Sequence, residues 1–293
     1  MSAPRLAPAP ADEMVEVAPG VLLATWTTTR HGADSPPMVL LHGGPGLWSS
    51  HDDLVDLLDD VAVVHTYDQR GCGRSTPTRE QSIEHSVADL EALRQHWDQT
   101  LGGHQQWVVV GHSFGADLAL AYAATHPDRV LAVGYLAGRG IGDRTAEKTE
   151  QARRLGDRRA RLGVLDANHD RCWDEEVEWR QLRWATDYAD LDTGREHSLL
   201  QAATYLEINL YANHLLRCTD EQLITWAAAV ECPVHVIHGS DDPRPIANVL
   251  ELAAHLETVR KRVVQGAGHF PWVEQPDETA GLLVELVRAG RHR

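Results

Sequence analysis

The chain lacks most of what would direct it to nucleic acid, a membrane or an oxidising compartment. Basic residues are outnumbered: 27 Lys and Arg against 43 Asp and Glu give a formal charge of −16. Phosphate backbones and anionic lipid surfaces both call for basic patches, so this composition excludes nucleic acid and membrane as partners. No apolar run approaches the roughly 20 residues of a membrane span. The four cysteines, Cys72, Cys172, Cys218 and Cys232, show no Cys-x-x-Cys spacing. That fits a reduced, cytoplasmic protein rather than a disulfide scaffold. There is no internal repeat. The 17 histidines carry no ligand spacing such as His-Glu-x-x-His, so neither metal nor other cofactor is implied. Residues 1–12 are rich in Ala and Pro with no apolar core, and read as a disordered leader rather than a signal peptide.

What is present is an alternation of short β-branched runs with helical patterns. A hairpin at 14–17 and 21–27, split by Pro19-Gly20, precedes strands at 37–41, 61–67, 107–110 and 130–136. Helical spacing falls at 50–58, at 86–97 (Val87, Leu90, Leu93, Trp97) and at 116–124, which Pro127 closes. From 139 to 228 the chain is helical and rich in Arg and Glu, with no strand. Strands return at 234–238 and 262–264, with helices over 246–256 and 278–289. The pattern predicts an α/β fold: a mostly parallel sheet flanked by helices, built from 13–138 and 229–293. A helical cap, 139–228, is inserted between two sheet strands and lies over the carboxyl edge, where open α/β sheets bind ligands.

The chemistry centres on Gly111-His112-Ser113-Phe114-Gly115, between the run 107–110 and the helix at 116–124. Gly-x-Ser-x-Gly between strand and helix reads as a strained turn that lifts a serine hydroxyl above the sheet, with glycines where a Cβ would clash. Such a serine needs a base to take its proton and an acid to orient the base. Both follow in the required order, each just past a strand end on the same edge. The base is His269, in Gly266-Ala267-Gly268-His269. The acid is Asp242 or its neighbour Asp241; a loop residue slightly farther from the strand end can turn back toward the next loop, which favours Asp242. Backbone amides must receive the oxyanion. The residue after the nucleophile, Phe114, supplies one, and the Gly-rich loop at 42–46 the other, through Gly44 in preference to Gly43.

These stretches resemble the prolyl aminopeptidase (proline iminopeptidase) family of the α/β-hydrolase fold. The likeness rests on His-Gly-Gly-Pro-Gly at 42–46, Asp-Gln-Arg-Gly-Cys-Gly-Arg-Ser at 68–75, the serine turn, and Thr-His-Pro-Asp-Arg-Val at 125–130. The late Gly-x-x-Asp (239–242) and Gly-x-Gly-His (266–269) match as well. It covers about 13–138 and 230–290 and hardly touches the cap. It implies a triad of Ser113, Asp242 and His269, an oxyanion hole at Gly44 and Phe114, and a loop at 68–75 that knits its neighbours together.

The departures bear on the substrate. Turns of that family usually read Gly-Gly-Ser-Trp/Tyr-Gly, whereas His112 and Phe114 stand here, a pattern commoner among esterases of the fold. Family aminopeptidases hold a free α-amine with acidic residues in the cap or beside the triad acid; here Pro243 follows Asp242. Within the cap, Glu207, Tyr211 and His214 fall on one helical face; Glu207 can meet an amine or pair with His214 or Arg217. Trp173, Trp179 and Trp184 cluster, with Trp48 beside the oxyanion loop, and one or two of these, Trp173 and Trp184 among them, are expected to line an apolar pocket. The reading is a cofactor-free serine hydrolase of a small molecule or short peptide, monomeric or homodimeric. Ester, lactone or small-amide hydrolysis is favoured over release of N-terminal residues. A non-hydrolytic binding protein or isomerase is disfavoured because all three triad positions are filled.

Overall fold

The computed structural model describes residues 2–28 and 36–291. The chain opens with β1 (Glu13–Ala18), β2 (Val21–Thr27), β3 (Pro37–Leu41), α1 (Asp52–Asp56), β4 (Val63–Tyr67) and α2 (Ile83–Thr100). It continues with β5 (Trp107–His112), α3 (Phe114–Thr125) and β6 (Val130–Leu136). Then come α4 (Thr145–Leu155), α5 (Arg159–Ala167), α6 (Trp173–Trp184), α7 (Leu191–Ala202), α8 (Leu210–Leu215) and α9 (Asp220–Ala229). It closes with β7 (Val234–Gly239), α10 (Ile246–Ala253), β8 (Val259–Val264), α11 (Pro271–Glu274) and α12 (Pro276–Gly290).

The strands form one eight-stranded sheet in the order β1-β2-β4-β3-β5-β6-β7-β8. The β1–β2 and β2–β4 pairs are antiparallel; every later pair is parallel. Every residue of β3 and β5 is buried, which is why both read as unbroken apolar runs rather than as alternations. The edge strand β8 begins at Val259, earlier than the apolar run suggests, because Arg260, Lys261 and Arg262 belong to it. Charges on an edge strand discourage pairing with another chain.

Helices cover both faces. Leu90 and Trp97 of α2, Leu118 and Tyr122 of α3, and Leu252 of α10 enter the core on one side. Leu54 of α1, Trp272 of α11 and Leu283 and Leu286 of α12 fill the other. Leu223 and Ala227 join the first group, so α9, which the sequence pattern groups with the cap, packs on the sheet layer. Its apolar spacing could be read from the sequence, but not which surface it meets. Because β6 and β7 are adjacent and parallel, the chain leaves the sheet at its carboxyl edge after β6 and crosses back, with α9 last, to enter β7 at the opposite edge. Among the described residues no helix is long and apolar enough to cross a membrane.

Residues 2–12, expected as a disordered leader, have partners. Leu6 pairs with the cap backbone, its N–H donating to Ala203 (2.9 Å) and its carbonyl accepting from Tyr205 (2.9 Å). The Ser2 hydroxyl and the Ala3 amide both donate to Asp174. On the sheet side, Trp26 Nε1 donates to the Pro10 carbonyl (2.7 Å) and Arg74 donates to Ala9 (3.3 Å).

The loop at 68–75 knits its neighbours, as the family resemblance implies. The fully buried Asp68 carboxylate accepts from the amides of Ser49 (2.7 Å) and Arg74 (2.8 Å) and from the Arg74 guanidinium at 2.6 and 2.9 Å. Gly73 lies so close that a Cβ there would stand 2.3 Å from Asp68 Oδ2. Removing one partner of such a network strands buried donors. Asp68→Ala is therefore expected to destabilise the fold by about 3 kcal/mol or more, read from urea denaturation midpoints. A loss under about 1 kcal/mol would show that the loop is held by something else.

Candidate active site

Ser113 sits between β5 and α3 with φ 57° and ψ −118°, a conformation that side-chain-bearing residues avoid. The flanking glycines make the turn possible. A Cβ on Gly111 would lie 1.9 Å from the Gly115 carbonyl oxygen, and one on Gly115 would lie 2.1 Å from that of Leu41. The Ser113 amide donates to Leu136 of β6 (3.0 Å), and its carbonyl accepts from Ala116 (3.0 Å) as α3 starts. The serine is thus fixed over the sheet edge at a helix N-terminus, where the helix dipole favours developing negative charge.

The structure separates the two acids. The Asp242 carboxylate is fully buried and its Oδ2 accepts from His269 Nδ1 at 2.7 Å, whereas Asp241 is exposed and accepts from the Ser240 hydroxyl. Burial alone would push the Asp242 carboxyl pKa up; His269, Arg244 and His238 together outweigh it and hold the carboxyl well below its usual range. Oδ1 accepts from the Arg244 amide (2.9 Å) and guanidinium (3.2 Å). The glycines of these loops mark close approaches too. A Cβ on Gly239 would lie 2.2 Å from the carbonyl oxygens of Ala267 and Gly268, and one on Gly268 would lie 2.3 Å from that of Asp187.

His112, where the turn departs from the aminopeptidase pattern, lies beneath the site. Its Nε2 donates to the His269 carbonyl (3.0 Å), and its ring packs against His269, Phe270 and Trp272. Burial, reinforced by His269 and His51, holds its pKa well below 6.5, so the ring is neutral near pH 7. It supports the backbone of His269. His42 does the same for the Gly-rich loop: Nδ1 donates to Gly43 (2.8 Å) and Nε2 accepts from the Gln69 amide (2.9 Å), which uses both nitrogens of a neutral imidazole.

Ser113 and His269 line one cavity of about 500 Å³ together with Gly43 and Gly44. Gly44 has φ 129°, and a Cβ there would meet the amides of Gly46 and Leu47 at 2.8 and 2.9 Å. Phe114 is buried at the first turn of α3. Trp48 and Trp184 line the cavity edge to face, ring centroids 6.3 Å apart, as does Trp179. Trp173 does not: it lies in a separate outer groove with Glu207, packed on Tyr205 and donating to the Pro4 carbonyl. Nor do Glu207, Tyr211 and His214 share a helix. The Asn209 side chain accepts from the Ala212 amide and caps α8, so Glu207 falls before the helix and is exposed, as are Tyr211 and His214.

Sequence reasoning missed Arg244 and the cap residues Asp187 and Asn213, all of which line the cavity. A cation two residues from Asp242 was a visible signal. Nothing in the sequence linked Asp187 or Asn213 to the sheet edge, for they are brought there by cap packing: the Asn213 side chain donates to the Pro45 carbonyl (2.9 Å).

If the serine turn is strained, Ser113→Gly should be at least as stable as Ser113→Ala. Elsewhere glycine is the less stable of the two by about 0.5–1 kcal/mol. A melting temperature for the glycine variant several degrees below that of the alanine variant would contradict the strain.

The site can be compared with known proteins. A model of the alpha/beta hydrolase fold family matches residues 36–276. The proline iminopeptidase of Neisseria meningitidis serogroup A is 41% identical over 100 residues, covering 33% of this chain and 31% of that protein. The matched stretch thus spans about a third of that relative's length. A Mycoplasma pneumoniae protein assigned as a proline iminopeptidase is 29% identical over 263 residues, 78% of this chain and 83% of that one. The crystal structure of Mycobacterium smegmatis proline iminopeptidase superposes with a TM-score of 0.70 at 19% identity, covering 95% of this chain and 98% of that one, a likeness of fold. With the family model running from the first sheet segment through the cap into the second, the chain belongs to the α/β-hydrolase family and resembles the prolyl aminopeptidases.

Proposed function

We propose that the protein is a serine hydrolase that works through an acyl-enzyme on an ester, lactone or small amide bond. The observation that carries the reading is the 2.7 Å contact from His269 to the buried Asp242, on a histidine that shares its cavity with the strained Ser113. His269 takes the Ser113 proton as the hydroxyl attacks the carbonyl. Asp242, accepting from Nδ1, selects the tautomer that leaves Nε2 free and stabilises the imidazolium that forms. The amides of Gly44 and Phe114 receive the oxyanion. His269 then protonates the leaving group and activates water for deacylation. The scatter of the four cysteines, with no Cys-x-x-Cys spacing, supports a reducing, cytoplasmic setting.

Cavity chemistry favours a substrate without a free amine. Among the described lining residues Asp187 is the one carboxylate, and it is already paired with Arg244 at 2.9 Å. An ammonium group entering the cavity would find no unpaired acid. Glu207, the cap acid that the sequence offers for an amine, lies in the outer groove. Proline iminopeptidase-type release of N-terminal residues is the second reading. It is favoured by the 41% identity to the Neisseria enzyme over 100 residues.

A fluorophosphonate probe is expected to label the wild type and not Ser113→Ala; equal labelling of both would sink the nucleophile assignment. Ester turnover by Ser113→Ala should fall by at least about a thousandfold, and Asp242→Asn by about ten-thousandfold in kcat. For the substrate, p-nitrophenyl acyl esters should be hydrolysed in preference to prolyl p-nitroanilide, and Glu207→Gln should leave both rates unchanged. Activity confined to the free-amine substrate would reverse the choice between the two readings.

A further inference from the structure

His269, whose carbonyl His112 holds, is anchored at two further points. Its Nδ1 meets Asp242 at 2.7 Å, and its backbone amide donates to the carbonyl of Asp187 in the cap at 2.7 Å. Between these anchors lies one guanidinium. Arg244 NH1 donates to Asp242 Oδ1 (3.2 Å) and to Asp187 Oδ1 (2.9 Å), and its own amide completes the hold on Asp242 Oδ1 (2.9 Å). The three side chains are 15%, 0% and 12% exposed, so little water competes for these contacts. From these contacts we infer that Arg244 is a positioning residue for the triad, bridging the acid Asp242 to the cap residue Asp187 so that cap seating and triad alignment are one event.

A carboxylate has two oxygens and must be prevented from turning. With Oδ1 occupied by Arg244, Oδ2 is the oxygen presented to His269. His238, the other basic side chain near Oδ2 at 3.8 Å, gives its Nε2 proton to the Arg244 carbonyl and so steadies the arginine backbone. The cap end of the bridge is equally constrained. Arg154 of α4 donates to the carbonyls of Thr186 (3.1 Å) and Tyr188 (2.6 Å) on either side of Asp187, and to that of Asp241 beside the acid (2.6 Å). Gly268, bare where the Asp187 carbonyl passes, lets the cap turn come this close.

The inference rests on the acyl-enzyme reading, and the experiment separates the two. Kinetics on p-nitrophenyl acetate and fluorophosphonate labelling rates are measured for wild type, Arg244→Ala, Arg244→Lys, Asp187→Asn and the Arg244→Ala/Asp187→Asn double variant. Arg244→Ala should lower kcat at least about tenfold and slow labelling in parallel, with KM within about twofold, since a displacement of the order of 1 Å costs up to about a hundredfold. Arg244→Lys should recover part of kcat, a single ammonium reaching one carboxylate but not spanning both. Asp187→Asn should lower kcat in the same direction, and the double variant should be no worse than Arg244→Ala, because both remove one bridge. A change in KM alone, or losses that multiply in the double variant, would overturn the positioning role. Should Arg244→Ala fail to fold, Arg244→Lys and Asp187→Asn decide it: wild-type kcat in both refutes the bridge. Absence of labelling in the wild type would instead overturn the acyl-enzyme reading.

Discussion

The site depends on a turn that has no room for a Cβ at either end. Gly111 and Gly115 each pass within about 2 Å of where a carbonyl oxygen would meet a methyl group, and Ser113 between them accepts a backbone conformation that nothing in its own chemistry favours. Such a conformation persists only where surrounding structure over-determines it. Here β5 lies between β3 and β6 with every residue buried, and α3 is buried along almost its whole length. The rigidity of the sheet centre is converted into the position of one hydroxyl.

Around that turn, loops from separate parts of the chain are joined by charge and by paired backbone as well as by ring packing such as Tyr188 on Phe270. Asp68 gathers the segment after the Gly-rich loop; Arg244 and Arg154 gather the acid loop and the cap turn. A buried charge is costly unless its hydrogen bonds are complete, so these contacts specify one arrangement of loops more than they add stability. Two neutral buried histidines serve the same end, His42 holding the Gly-rich loop and His112 holding the backbone of His269.

The division between what was legible in the sequence and what was not follows the range of the forces involved. Strands with two buried faces, helices with apolar stripes and glycines at forced close approaches leave local marks, so the sheet, Ser113, His269 and the acid loop could be read directly. The hairpin and the parallel core fall where the pattern places them. Asp242 and Asp241 differ by a turn of one residue, and the burial that brings the Asp242 carboxylate alone to His269 left no mark in the sequence. The cap was another matter. A tryptophan spacing on α6 places Trp173 and Trp184 on one helix, but the length of that helix carries one into the cavity and the other into an outer groove. Glu207 was set on a helix with Tyr211 and His214 because the spacing allowed it; an asparagine cap at Asn209 starts that helix later. Arg244 left a mark that only the fold could interpret.

The amino-terminal segment has a mechanical consequence. Leu6 is paired with the cap, while the Pro10 carbonyl is bonded to Trp26 on the sheet. The four residue steps between them, fully extended, reach about 14 Å. The segment therefore acts as a tether of fixed length: the cap edge at Ala203 and Tyr205 can lift from the sheet domain only as far as that length allows before one attachment must give way.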